Sequence, residues 1–453
     1  MISTHEPVQS QRSPRPRCNH KSPLVPERRR GRSNAASSLE KSRVGPMRTR
    51  GRVTTCRCFL GSLPTMPFTP VHTLVGAAMM GLAANNLLTL NGSVLGVSGF
   101  GHRSIKSLSY TFRKLLPNQP AKAGMLSADV EETSPDPEHL TLLSMAGLLV
   151  GGLVLGLGRE RLEDELAVQL VDVYVSGFVD WRRIVGYAVA GVLVGLGSKL
   201  ANGCTSGHMF CGVSRLSPRS IVASGIFMPV AVLTHLTLGN LAPFTFELAP
   251  ERNVDPPSWL VMLLLQLPLL VYRYGAAFLK GFCGERSARR IVAFTTALHF
   301  SLGLALSGML RPSKILNFMN LTPSAIQSGT WDPSTILIIA GGIIPQILIW
   351  QCCLGAYIRR SDSRPAFAET WSVPKVSPNW QDGITARLIV GATLFGVGWG
   401  LCGICPGPAA VVIGAAMGGD GRVDVWRGVG VWACGFVMGG VFGEWALGLL
   451  NWS

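Results

Sequence analysis

Apolar stretches close to the length of a bilayer-spanning helix, about 20 residues, follow one another along most of this chain. There are about nine of them, at residues 71–91, 140–158, 184–201, 219–240, 258–279, 291–310, 334–356, 384–401 and 425–449. Only 15% of the residues are charged, whereas a soluble domain usually has about 25%. Buried helices of soluble proteins imitate one or two such stretches, but not a whole series joined by polar connections. The sequence therefore predicts an all-α, multi-pass integral membrane protein, which we expect in the plasma membrane.

Positive charge is concentrated in residues 1–65, which contain 14 Lys and Arg but three Glu and so hold +11 of the net charge of +16. The rest of the chain is only weakly basic, so its charge does not indicate a nucleic-acid partner. The tail is polar and rich in Pro and Arg, and we interpret it as disordered. It lacks the apolar core of a secretory signal, and its prolines oppose the amphipathic helix of a transit peptide. We favour translation beginning at Met66, where the composition changes abruptly.

Two connections between the apolar stretches have an unusual composition. One, residues 203–208, is Gly-Cys-Thr-Ser-Gly-His, and the other, residues 402–408, is Cys-Gly-Ile-Cys-Pro-Gly-Pro. Each predicts a helix that breaks at membrane depth and restarts as a short re-entrant half-helix. Broken helices are tolerated in a membrane only where the freed backbone groups line a protected cavity.

The two breaks are related by an internal repeat. A Gly-x-Gly motif that begins at Gly195 precedes Cys204, and the same motif at Gly396 precedes Cys405, 201 positions later. The number of predicted crossings between the halves is odd, so the repeats should be inverted, as in many secondary transporters. We expect a first repeat at residues 66–240, a connecting transmembrane helix at 241–290 and a second repeat at 291–453.

Five residues stand out by their position in this pattern. Cys204 and Cys405 occupy equivalent breaks, where backbone N–H groups and a half-helix N-terminus favour an anion. Lys199 lies inside an apolar helix, where a charge marks a pathway unless the side chain reaches the interface. His208 either donates to the anion or caps the half-helix, and Lys314 is a weaker candidate at another short break.

Other chemistries have little support in the sequence. Cys402-x-x-Cys405 has no further ligands at metal-binding spacing, and we predict no metal and no cofactor. Catalytic triads, phosphate loops and paired carboxylates on one helix do not occur. Glu444 is the acidic residue in the core of the predicted spans, which argues against a carboxylate relay for protons. We therefore expect a transporter or channel rather than an enzyme.

Several motifs resemble a known family. Residues 203–208, with Cys211, Gly212 and the Ser-Arg-Leu-Ser-Pro-Arg-Ser at 214–220, are similar to the signature of the YeeE/YedE sulphur-transport family. Residues 303–309, 312–314, 331–334 and 396–408 resemble the second partner of the split form of that family. The chain is thus similar to a fusion of both halves. The resemblance implies half-helices that meet in mid-membrane, and uptake of thiosulfate past cysteine thiols.

The resemblance also assigns residues to the site. It makes Cys204 and Cys405 substrate-contacting thiols, whereas Ser98 replaces a further cysteine of thiosulfate-uptake members and offers a hydrogen bond but no sulfur. The predicted substrate-binding residues are Cys204, Cys405, Lys199, His208, Ser98, Thr205, Gly203, Gly207, Pro406, Gly407 and Lys314.

Two alternatives to transport of a small sulfur-containing anion stay open. A membrane sulfurtransferase would pass sulfur to a soluble carrier protein, with Cys283 as the candidate nucleophile. A scaffold without transport would leave the paired cysteines unexplained.

Overall fold

The computed structural model describes residues 68–115, 139–172, 181–239, 258–373, 383–419 and 426–449. The predicted basic tail, residues 1–65, lies outside these ranges. The α-helices are α1 (Pro70–Asn91), α2 (Val97–Leu115), α3 (Leu140–Leu157), α4 (Arg159–Leu166), α5 (Trp181–Leu200), α6 (Pro218–Leu238), α7 (Trp259–Leu264), α8 (Leu267–Leu270), α9 (Ala276–Leu306), α10 (Pro312–Met319), α11 (Pro323–Gln327), α12 (Ile344–Ile349), α13 (Gly355–Ile358), α14 (Ala386–Cys402), α15 (Pro406–Gly418) and α16 (Val431–Leu449). Wider π-helical turns form Ser206–Gly212, Val271–Gly275, Ile339–Ile343, Trp350–Leu354 and Trp426–Gly430, and Pro333–Ile336 is a 3-10 turn. No strand occurs in these ranges beyond one bridge between Ser93 and Ser372.

Helices long and apolar enough to cross a membrane make up most of the described chain. Eight such segments are present there: Pro70–Asn91, Leu140–Leu157, Trp181–Leu200, Pro218–Leu238, Trp259–Phe282, Pro333–Ile358, Ala386–Gly418 and Gly428–Gly448. The predicted span at 291–310 corresponds to the part of α9 that follows a kink at Gly284, where φ is +75°. The predicted all-α membrane fold of about nine helices is therefore confirmed.

The long helices form pairs that correspond to each other between the two halves of the internal repeat. α1 packs against α9 and α5 against α14, while α16 packs on α5 as α6 packs on α14. Gly396 shows how closely these helices approach, because a Cβ there would lie 2.7 Å from the carbonyl oxygen of Phe227. Gly195, its counterpart, is pressed in the same way against the carbonyl of Phe436. Small residues permit such contacts between membrane helices, and this pairing is what two repeats related by a two-fold axis would give.

Residues with a positive φ mark the breaks between helices, and two of the three described below are glycines. α14 ends at Cys402 and is capped by Gly403, whose φ of +67° lies in the left-handed region that glycine adopts without a steric cost; α15 begins at Pro406. Gly308, with φ of +77°, similarly precedes α10. After α5, Asn202 takes a φ of +53°, and the chain re-enters a helical turn at Ser206. The predicted half-helices are thus present after both α5 and α14.

Candidate functional site

A cavity of about 80 Å³ lies where the helix breaks of the two halves meet. Cys204 and Cys405 both line it, although 201 positions separate them in the sequence. Both cysteines are buried, with 2% and 3% of the residue surface exposed. The repeat-equivalent cysteines therefore face one shared space. The lining consists of Met80, Val97, Cys204, Thr205, Ser206, Met209, Phe210, Met228, Phe300, Leu304, Met309, Phe318, Thr335, Ile336, Ile338, Ile339, Trp399, Cys405, Pro406, Gly407 and Pro408.

Hydroxyl groups from the first break contact both thiols. The hydroxyl of Thr205 donates a hydrogen bond across the halves to Sγ of Cys405, at 3.5 Å. Sγ of Cys204 lies 3.2 Å from Oγ of Ser206. Oγ of Ser206 also accepts a hydrogen bond from the backbone N–H of Val97 at 3.2 Å, which ties the start of α2 to the same break.

Two helix N-termini point at the cavity. Cys405 occupies the N-cap position of α15 with an extended backbone, and Pro406 and Gly407 form the first turn. α2 begins at Val97, and a Cβ added to Gly407 would lie 3.6 Å from the side chain of Val97. Pro406 and Pro408 have no N–H group, and the N–H of Val97 already donates to Ser206, so the positive potential at these ends comes mainly from the helix dipoles. The positive potential of these helix ends therefore favours a negatively charged ligand, and no charged side chain of the protein is needed for this.

The rest of the lining is apolar and polarizable. Four methionines, Met80, Met209, Met228 and Met309, contribute thioether groups, and aromatic rings close the space between them. None of the lining residues in the described part of the chain carries a formal charge. An ion that enters would exchange its water for contacts with the thiols, hydroxyls and helix ends, and the thioethers and rings favour a ligand with a soft, polarizable atom.

The remaining predicted residues near the first break have structural contacts. His208 is buried, with Nδ1 3.2 Å from Oγ of Ser220 and Nε2 3.1 Å from the carbonyl of Ala201. A Cβ at Gly203 would lie 2.6 Å from Nε2 of His208, so glycine lets the ring fit. These contacts join His208 to the residue that follows α5 and to α6, and His208 is not among the residues that line the cavity. Gly207 has open space around its Cα, and the buried Ser98 follows Val97 on the first turn of α2.

Lys199 lies outside the cavity lining. Its ammonium is 3.4 Å from Oε2 of Glu444 on α16, and Glu444 also pairs with Lys106 on α2. The side chain of Lys199 is 21% exposed to solvent. The charge that the sequence analysis singled out is therefore balanced by a carboxylate from the far end of the chain.

Lys314 is likewise held away from the cavity, in a buried network at the start of α10. Its Nζ donates to Oγ1 of Thr69 at 2.7 Å and lies 3.7 Å from Oδ2 of Asp332. Beside it, the guanidinium of Arg311 donates to Asp172 at 3.0 Å.

Sequence reasoning missed three polar residues that the structure makes important. Ser206 belongs to the motif at residues 203–208, and its position two residues after Cys204 is the feature of the sequence that could have identified it. Asp172 and Asp332 are almost completely buried, yet they lie in connections outside the predicted spans, so a search of the spans for carboxylates passes over them. Asp332 belongs to the motif at 331–334, but the resemblance assigned it no role. The side chain of Cys283, the nucleophile of the sulfurtransferase hypothesis, lies outside the described residues.

Comparisons with known proteins agree with this architecture. Residues 167–233 match a family model described as sulphur transport, and residues 288–425 match a family of unknown function, DUF6691. A probable transporter of Xylella fastidiosa (strain 9a5c) is 32% identical over 130 residues, which cover 29% of this chain and 78% of the relative. A second probable transporter of that strain is 30% identical over 168 residues, 37% of this chain and 94% of the relative. No solved structure matches. The apolar helices, the paired cysteine motifs and these relatives together show that the chain is a multi-pass membrane protein of the YeeE/YedE sulphur-transport family.

Proposed function

We propose that the protein transports a small sulfur-containing anion, thiosulfate first, through the cavity between Cys204 and Cys405. The observation that carries the proposal is that two repeat-equivalent thiols line one buried cavity, beside the N-termini of α2 and α15. Transporters with internal repeats commonly bind substrate at the repeat interface, close to the N-terminal ends of broken helices.

Thiols suit this substrate because they donate hydrogen bonds without adding charge. A protonated thiol is a weak donor whose sulfur is soft and polarizable. Thiosulfate presents a soft terminal sulfur at one end and oxygens at the other. The anion would pass from one S–H group to the next by exchanging hydrogen bonds, and no covalent bond to sulfur is required.

The modest strength of these contacts is an advantage for transport. A site must bind firmly enough for the ion to enter and weakly enough for it to leave. Two thiol donors and the helix ends stabilise the anion, while the apolar lining supplies no counter-charge that would trap it. Lys199, outside the lining, would contribute positive potential at a distance rather than a direct contact.

Uptake of labelled thiosulfate by sulfur-starved cells tests the proposal. We expect Cys204→Ala and Cys405→Ala each to abolish uptake while the protein level in the membrane stays unchanged. The exposed cysteines supply matched controls, and Cys353→Ala and Cys434→Ala should retain nearly full uptake. With unchanged protein levels, full uptake in Cys204→Ala and Cys405→Ala would refute a role of the two buried thiols in the pathway, and so would an equal loss of uptake in all four variants.

A further inference from the structure

We infer that Thr205 and Ser206 are positioning residues that direct the two thiols of the cavity toward the anion, an inference that rests on the proposed function. Each would donate a hydrogen bond to one cysteine sulfur. Thr205 serves Cys405 in the other half, and Ser206 serves Cys204 in its own half.

The hydroxyl of Thr205 has no competing role in helix capping. Thr205 occupies the N-cap position of the Ser206–Gly212 turn, where threonine often accepts a bond from the backbone. Its side chain makes no such capping bond, and the hydroxyl is directed at Sγ of Cys405 instead. Thr205 is also buried, with 8% of its surface exposed, so its hydrogen bond to sulfur is shielded from solvent.

The hydroxyl of Ser206 is oriented by the backbone of α2. Its oxygen accepts the N–H of Val97, which leaves its single proton available for Sγ of Cys204, 3.2 Å away. A hydroxyl has one proton and two lone pairs, so both contacts can form at once. The start of α2 therefore helps to set the direction of the Cys204 thiol.

The direction of the thiol proton decides what the cavity offers an anion. A sulfur that accepts a hydrogen bond from a neighbouring hydroxyl keeps its own S–H free to donate into the cavity. A thiol that instead donated to the hydroxyl would present only lone pairs, which repel a negative charge. Two adjacent hydroxyls thus convert two buried cysteines into two donors aimed at one space.

The internal repeat explains why one half supplies both hydroxyls. The positions equivalent to Thr205 and Ser206, 201 residues later, are Pro406 and Gly407. Neither has a hydroxyl group, so the second half cannot orient its own Cys405 in this way. The hydrogen bond from Thr205 crosses between the halves and supplies the hydroxyl donor that the second half lacks.

The test measures thiol orientation separately from transport. Infrared S–H stretching bands of the purified full-length protein are assigned by their loss in Cys204→Ala and Cys405→Ala. We expect Thr205→Val to shift the band of Cys405 and leave that of Cys204 in place, and Ser206→Ala to do the reverse. Thr205→Ser and Ser206→Thr keep the hydroxyl and should restore both bands. Thr295→Val, at a helical threonine that bonds the carbonyl of Ile291, is the matched control.

Thiosulfate uptake supplies the second measurement. Loss of one hydrogen bond to each thiol should raise the KM for thiosulfate by about threefold to tenfold in Thr205→Val and Ser206→Ala, with recovery in the conservative variants. Unshifted bands in both variants would overturn the inference, whatever happens to uptake. A Cys204 band that rises in Ser206→Ala to the higher frequency of a thiol released from donating to that hydroxyl would overturn it as well. Failure of the unmodified protein to take up thiosulfate would instead overturn the proposed function, while the bands would still report on the orientation of the thiols.

Discussion

Nζ of Lys314 lies 3.7 Å from Oδ2 of Asp332, so that two motifs from different parts of the second half share one buried ion pair. Asp172, from the first half, accepts hydrogen bonds from the guanidinium of Arg311 and from both the backbone N–H and the hydroxyl of Ser313. The first turn of α10 is thereby tied to both halves of the protein. α10 also carries Phe318, which lines the cavity, so this network positions part of the cavity wall.

Removal of one partner of the buried pair should destabilise the fold. In Lys314→Met the carboxylate of Asp332 would stay buried without its counter-ion, at a cost of about 3–5 kcal/mol of unfolding free energy. Thermal unfolding of the purified protein in detergent measures this loss. Lys280→Met removes one partner of an exposed pair with Glu285 and should change stability little. Similar midpoints for the two variants would show that the Lys314 pair does not stabilise the fold.

The lysine on α5 should affect uptake through charge alone. Lys199→Met removes one positive charge from a cluster in which Lys106 still pairs with Glu444, so the protein should fold. We expect a lower initial rate of thiosulfate uptake, by no more than about fivefold, since a single charge outside the cavity lining acts on the anion only at a distance and is screened by salt. Lys199→Arg should retain more activity than Lys199→Met. Full activity in the methionine variant would remove Lys199 from the predicted site.

Close contact between α5 and α14 should depend on glycine. A Cβ at Gly197 would lie 2.7 Å from the carbonyl oxygen of Gly391, and overpacking of this kind typically costs about 1–3 kcal/mol. We expect Gly197→Ala to lower the unfolding temperature and to reduce uptake, because the two helices carry the breaks that form the cavity. Gly225→Ala, on α6, has open space around the new methyl group and is the control. An unchanged unfolding temperature and unchanged uptake in Gly197→Ala would show that neither depends on the close contact between α5 and α14.

Sulfate should compete poorly with thiosulfate. The cavity lining offers thiols, hydroxyls and thioethers but, among the described residues, no charged side chain. Contact between the soft terminal sulfur of thiosulfate and this lining partly offsets the lost hydration of the anion, whereas the outer atoms of sulfate are all oxygens. An excess of unlabelled sulfate should therefore leave the uptake of labelled thiosulfate unchanged, whereas unlabelled thiosulfate should suppress it. Equal suppression by both anions would contradict selection by the soft lining.

The sequence alone was sufficient to predict the architecture, because the relevant signals are local. A stretch of about 20 apolar residues identifies a spanning helix wherever its neighbours lie. Glycine next to cysteine or proline marks a break, and the recurrence of that pattern identifies Cys204 and Cys405 as equivalent. Their placement in one cavity was expected on the same grounds, since half-helices of repeat transporters converge.

Tertiary structure alone decided which polar groups meet. Lys199 and Glu444 are 245 positions apart, as are Lys314 and Thr69, and no local pattern connects such residues. A buried charge requires a partner, but its identity depends on which helices pack together. Packing therefore assigned both lysines to ion pairs and brought Thr205 to Cys405, because side chains distant in sequence acquire neighbours only when the helices assemble.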